Sequence, residues 1–230
     1  MKKIDVLAQI RGGLIVSCQA LAHEPLHGSS IMSRMALAAV QGGAVGIRAN
    51  TVADITAIQQ TVDLPIIGII KQIYDDSDVY ISPTMAEIDA LCRIGVPIIA
   101  TDATNRLRPG QADLPAFFAA VRVRYPDVLF MADCSTLDEA VQAERLGFDL
   151  IGTTLSGYTA YTQTASVPNF ELLADMHCAL RKPIIAEGGI HSPEQAAQAL
   201  RLGAFAVVVG GAITRPQEIT ARFVAGMKIE

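Results

Sequence analysis

PIIAEGGIHSPEQAAQALRLGAFAVVVGGAITRP, residues 183–216, holds two short apolar runs, and each closes on a pair of glycines. The first run, 183–186, delivers the carboxylate Glu187 and then Gly188 and Gly189. The second, 204–209, runs into Gly210 and Gly211. Between them Ser192, Pro193 and Gln195 supply an N-cap, an N1 proline and an N3 amide for a short helix. The order Thr214, Arg215, Pro216 repeats that cap logic for a last helix. Two buried parallel strands that each open into a glycine loop and a helix aim bare backbone N–H groups at one spot, which is a cradle for phosphate. In an eightfold barrel, strands seven and eight make such a cradle.

Working outward, six more units of the same kind precede this one. LIVSCQA ends at Gln19, and a loop with two histidines leads to a helical pattern from Ser30. AVGIRAN carries Arg48, and Thr51 then caps a helix with Asp54 three residues on. PIIGIIK ends in Lys71; after a polar loop, Thr84 and Glu87 form a capping box. VPIIATD ends in Asp102, with a helix from Asp113; VLFMADC carries Asp133, with a helix from Ser135 that stops at Gly147. DLIGTTLSGYT is the sixth run, and Asn169 caps the helix after it. The units recur roughly every 20–35 residues, the size of a βα unit. Residues 2–10 read as a short amphipathic helix that closes the bottom. The expected fold is therefore α/β: a (β/α)8 TIM barrel, one domain over residues 1–230, with a short N-terminal helix.

Composition agrees. The chain is 51% hydrophobic with a mean hydropathy of +0.36, which suits strands buried on both faces. No uninterrupted apolar run is long enough to span a membrane, and Asp5 and Gln9 break any signal-peptide core. Four scattered cysteines, without a CxxC pair or a Cys/His cluster, read as reduced thiols of a cytoplasmic protein and not as a zinc site. A net charge of −5 speaks against nucleic acid as a partner, and leaves room for a small basic pocket that takes an anionic metabolite.

The polar residues follow the strand ends. Gln19, Arg48, Lys71, Asp102, Asp133, Thr153 and Glu187 each stand at or just beyond the carboxyl end of an apolar run. In a barrel those ends converge on one mouth, and unpaired buried charge is costly. Asp102 and Thr153 admit a purely structural reading as well. Cys18 and Cys134 read as inert buried thiols. His23, His27 and His191 read as loop residues in solvent and His177 as partly packed on a helix; residues 75–78 read as a solvated acidic loop without an EF-hand pattern. Lys71 and Glu187, a base and an acid beside a phosphate cradle, suit proton abstraction next to a carbonyl. Lys71 must then be neutral part of the time, so its pKa must fall towards about 7–8, a differential of roughly 4 kcal/mol. Burial and Arg48 push it down and a nearby carboxylate pushes back, so Lys71 is expected closer to Arg48 than a simple salt bridge with Glu187 allows.

Eight motifs in order carry a resemblance. They are SCQALAHEPLHG (17–28), GIRA (46–49), PIIGIIK (65–71), TDATNRLRP (101–109), MADCST (131–136), GTTLSGYT (152–159), IAEGGI (185–190) and VVVGGAITRP (207–216). Together they resemble the N-acetylmannosamine-6-phosphate 2-epimerase family of sialic acid breakdown, over nearly the whole chain. Cys134 and Gly211 depart from the family pattern, where an isoleucine and often a serine are expected. The resemblance implies a (β/α)8 barrel that interconverts N-acetylmannosamine 6-phosphate and N-acetylglucosamine 6-phosphate, with no metal or redox cofactor. It implies that Lys71 takes the C2 proton and Glu187 takes part in returning one. It places Gln19, Arg48 and Asp133 around the sugar, and Gly189, Gly210, Gly211 and Arg215 at the phosphate; Thr153 joins the binding set by its strand-end position. A homodimer is common in the family, and residues 219–227 are a candidate contact, with packing on their own barrel as the alternative. Two other readings stay open on the residues alone: another sugar-phosphate isomerase or lyase on such a barrel, and a barrel that only binds a sugar phosphate.

Overall fold

The structure, a computed structural model, describes residues 3–227, with side chains from Asp5 onward. Helix α1 (Lys3–Ile10) comes first; residue 2 of the expected helix lies outside the described residues. The units that follow are β1 (Leu14–Cys18) with α2 (Ser29–Gln41), β2 (Gly46–Asn50) with α3 (Val52–Gln59), β3 (Ile66–Ile69) with α4 (Met85–Arg93), and β4 (Ile98–Asp102) with α5 (Leu114–Arg124). Then come β5 (Leu129–Asp133) with α6 (Leu137–Leu146), β6 (Leu150–Gly152) with α7 (Phe170–Ala179), and β7 (Ile184–Ala186) with α8 (Pro193–Arg201). Strand β8 (Ala206–Val209) leads to a four-residue α9 (Gly211–Thr214) and to α10 (Pro216–Gly226). All strands are parallel, in sequential order, and the barrel closes where Leu14, Ile15 and Val16 pair with Val207, Val208 and Val209.

The helix starts follow their cap residues. Thr51, Thr84, Asp113, Thr136, Asn169 and Ser192 each accept a first-turn amide, and Thr84, Thr136 and Ser192 complete capping boxes with Glu87, Glu139 and Gln195. Such a cap stabilises a helix by about 1 kcal/mol. Two expectations need correction. The cap of α6 is Thr136, since Ser135 gives its hydroxyl to Glu139. Thr214 caps nothing: its hydroxyl donates to the carbonyls of Ser17 and Gly210, and α10 starts without a side-chain cap. The sixth run is also shorter than its apolar pattern, with three strand residues before a long loop.

Period-two alternation splits the core into two layers. Ile15, Ile67, Ile69, Ile98, Leu129, Met131, Leu150, Ile185, Ala206 and Val208 fill the barrel, with Val6 and Ile10 of α1 in the same cluster. Their neighbours Val16, Ile47, Ile66, Ile99, Phe130, Ile151, Ile184 and Val207 face the helices. This parity decides which polar side chains reach the mouth.

Candidate active site

On β1 the inward positions are 15 and 17, so Gln19 also points in; on β3 the series 67, 69 brings in Lys71; on β7, 185 brings in Glu187; on β8, 206 and 208 bring in Gly210. These residues share the lining of one cavity of about 330 Å³ with Arg48, Gly189, Gly211 and Arg215. Arg48 sits inside β2, not at its end, and its long side chain climbs to the cavity.

Arg48 is 1% exposed and organises the acids. Its Nη1 donates to Asp133 Oδ1 at 3.1 Å and to Glu187 Oε2 at 2.8 Å, and Nη2 donates to Asp133 Oδ2 at 2.6 Å. Burial disfavours its charge, but Asp133 and Glu187 outweigh that and raise its pKa. Burial is the largest influence on Glu187 and lifts its carboxyl to about 7; Arg48 opposes the shift and Asp133 adds to it. Lys71 makes no ion pair among the described residues. Burial and then the like charges of Arg48 and Arg215 lower its pKa, against Glu187 and Glu24. The acid nearest in role to Lys71 is thus held by Arg48, which agrees with the electrostatic expectation from sequence. The Asn50 side chain accepts the Lys71 amide at 2.8 Å, so β2 fixes the lysine backbone. Among the described residues, two buried polar atoms of cavity-lining side chains lack a partner: Gln19 Oε1, an acceptor, and Arg48 Nε, a donor. An unpaired buried polar atom is costly unless a ligand or water satisfies it.

The glycine end of the cavity is backbone. Gly189 has φ +68°, and an added Cβ would stand 2.7 Å from Val167. Gly210 lies over Ser17, whose Cβ would be 3.4 Å away from any added methyl. Arg215 meets the same cavity at the start of α10.

Two predicted binding residues stand elsewhere. Thr153 has the outward parity of Ile151, and its hydroxyl is spent on the Glu187 backbone, donating to the carbonyl at 2.8 Å and accepting from the amide at 3.0 Å. Asp133 is fully buried behind Arg48 and outside the cavity lining. Thr153 holds the Glu187 backbone and Asp133 holds the Arg48 guanidinium, and neither lines that cavity. Asp102 pairs with Arg106 at 2.6 Å and is structural. Cys18 is buried with its thiol pushed up to about 12 by burial. His177 is an exposed residue whose ring packs over Gly203. Loop 75–78 packs on the next loop: Asp76 accepts the Gly110 amide and Ser77 donates to the Leu107 carbonyl.

Sequence reasoning missed Thr154 and Tyr80. Thr154 lines the cavity, and its hydroxyl lies 2.7 Å from Asp133 Oδ1 and 3.3 Å from Glu187 Oε2. Counting by two from Leu150 would have found it. Tyr80 also lines the cavity, and burial followed by Asp102 and Asp133 raises its pKa. Nothing local marks Tyr80, because a loop that doubles back, pairing Lys71 with Ile81, carries it.

A sequence model described as "Putative N-acetylmannosamine-6-phosphate epimerase" matches residues 32–229. The chain belongs to this epimerase family. Relatives named as N-acetylmannosamine-6-phosphate 2-epimerases include one from Listeria monocytogenes serotype 4a, 56% identical over 95% of this chain and 93% of its own. Another, from Enterobacter sp. strain 638, is 57% identical over 97% and 96%. The solved structure of the N-acetylmannosamine-6-phosphate 2-epimerase from Clostridium perfringens superposes with a TM-score of 0.92 at 51% identity, covering 96% of each chain. A thiamine phosphate pyrophosphorylase from Pyrococcus furiosus, 15% identical with a TM-score of 0.62, shares the fold alone. Among the described residues of this family member, no group of three or more His, Cys, Asp or Glu is placed to hold a metal ion, and no helix is long and apolar enough to cross a membrane.

Proposed function

We propose that the protein interconverts N-acetyl-D-mannosamine 6-phosphate and N-acetyl-D-glucosamine 6-phosphate by deprotonating and reprotonating C2. The observation that carries this reading is that Lys71, of lowered pKa, and Glu187, of raised pKa, face one cavity with the glycine backbone and Arg215. In the open-chain sugar the aldehyde acidifies the hydrogen on C2. Lys71 takes that proton on one face and leaves an enediolate-like intermediate. Arg48 Nε, a buried donor without a partner, suits the oxygen on which charge develops. Gln19 Oε1 suits an amide N–H or hydroxyl of the sugar. Glu187, whose carboxyl is raised to about 7, supplies the proton for the other face when it holds one, and inversion follows. Gly189, Gly210, Gly211 and Arg215 take the phosphate, whose binding energy positions the reacting carbon. Thr153 and Asp133 act behind these groups, on Glu187 and Arg48.

The test is proton NMR of N-acetylmannosamine 6-phosphate with the protein in deuterated water. Loss of the C2 proton signal together with appearance of the gluco epimer is the expected result. A ketose product, or tight binding without deuterium entry at C2, would overturn it. The four unpaired cysteines support a cytoplasmic setting. A homodimer is supported by α10, which buries no residue and leaves Phe223, Val224 and Met227 exposed.

A further inference from the structure

The loop after β1 contains the EPLHG motif, to which the chemistry above gives no task. Its Glu24 reaches across to Arg215, 191 positions away in sequence. Glu24 Oε1 accepts Arg215 Nε at 2.5 Å; Oε2 accepts the Leu21 amide at 2.5 Å and Nη2 of Arg215 at 3.4 Å. Burial acts to raise the Glu24 pKa, but the hydrogen bonds from Arg215 and Leu21 more than offset it, so the carboxylate stays charged. A second carboxylate approaches the same guanidinium: Glu218, one turn into α10, lies 3.5 Å from Arg215 Nε. That carboxylate also lies on Gly211, where an added Cβ would be 2.0 Å from Glu218 Oε2. Glu218 lines the cavity, and its side chain is 46% exposed against 17% for Glu24.

The two acids are thus unequal. Glu24 is fixed by its own backbone neighbour as well as by the guanidinium. Among the described residues Glu218 has only a longer ionic contact, no hydrogen bond, and a position over backbone that the proposed phosphate needs. We propose that Glu24 is a positioning residue that aims Arg215 into the cavity, and that Glu218 is a displaceable occupant of the phosphate position, which a phosphoryl group must exchange out. This rests on the phosphate reading of Gly211 and Arg215 given above. The exchange selects for charge. A phosphoryl dianion replaces the carboxylate on Arg215 with a stronger acceptor, whereas the neutral hydroxymethyl of an unphosphorylated sugar brings nothing to replace it. Glu218 therefore discriminates against the unphosphorylated sugar by occupying the space that sugar cannot claim.

The experiment is calorimetric titration of the full chain with inorganic phosphate, alongside KM and kcat for the phosphorylated substrate. Simple charge repulsion predicts that removing either carboxylate tightens phosphate binding. The proposal predicts opposite signs. Glu218→Gln lowers the phosphate Kd by about threefold to tenfold, and the change is larger in KM than in kcat. Glu24→Ala raises the Kd on the order of tenfold, and Glu24→Gln recovers most of that, because an amide oxygen still accepts from Arg215 Nε. Equal tightening in both variants, or an unchanged Kd in Glu218→Gln, would overturn the proposal. Arg215→Ala separates the two levels: if it binds phosphate as tightly as the parent, the phosphate end itself is misplaced and the proposal falls with it. Both acids lie at the surface of the mouth, and thermal unfolding without phosphate checks that each variant is folded.

Discussion

Lys71 and Glu187 are useful because their environments drive their proton affinities towards one another. Burial and Arg48 lower the lysine; burial lifts the glutamic acid to about 7. Between the two values the pair keeps one proton, mostly on Lys71, and the form that starts the reaction is the minority in which Glu187 holds it. Below about pH 7 both are protonated and no base remains; above the lowered lysine value both are deprotonated and no acid remains. A bell-shaped kcat/KM profile with an acid limb near pH 7 is the expected outcome. Lys71→Ala should slow C2 exchange by about 10²–10⁴-fold, measured as deuterium entry. Thr154 gives the sharper check. Its hydroxyl bond lowers the Glu187 value, so Thr154→Val should move the acid limb to higher pH, and Thr154→Ser should restore it. A limb that stays in place in Thr154→Val would separate that limb from Glu187. At this scale Lys71, Glu187 and the glycines were legible from position alone. Thr154 and not Thr153 lines the cavity, because the strand's parity, not its end, decides which threonine enters the barrel.

At the scale of elements, the loops that carry the site are held by buried polar staples. Arg108 is 2% exposed and ties two loops together. It donates to the Pro83 carbonyl at 2.8 Å, to Thr101 Oγ1 at 3.1 Å and to the Asp102 carbonyl, while its guanidinium carbon lies 3.9 Å from the Phe117 ring centre. Its pKa falls to about 10 through burial, still far above neutrality. The loop it holds, 70–84, runs from Lys71 to the α4 cap and presents Tyr80 to the cavity. Arg108→Leu leaves several buried carbonyls without a donor and should lower unfolding stability by about 2–3 kcal/mol. Faster amide exchange across 70–84 than in α5 would show that the damage is local to the staple; uniform loss of protection would not. The caps at Thr51, Thr84, Asn169 and Ser192 were readable, since capping is a contract between residues three apart. The role of Arg108 was not readable locally, because its partners lie up to 26 positions away in sequence.

At the scale of the molecule, α10 stands apart from the other long helices. Among the described residues each of the others buries at least one residue, yet α10 buries none, and Phe223, Val224 and Met227 are 70%, 55% and 74% exposed. Covering such side chains stabilises by about 1.5–3 kcal/mol each. A second copy is the expected cover, so Phe223→Glu should shift the mass seen by light scattering from two chains to one. A monomeric parent protein would remove the dimer proposal.

The sequence by itself determined the strand-and-helix order, the glycine-ended strands and the acid and base at their ends, because each depends on residues a few positions apart. The tertiary structure decided the rest: that Arg48 and not Lys71 holds Glu187, that Asp133 and Thr153 stand behind the cavity, and that Glu24 meets Arg215. Those pairings join residues up to 191 positions apart. They form only when the eighth strand pairs with the first, and that closure brings all the strand ends to one mouth.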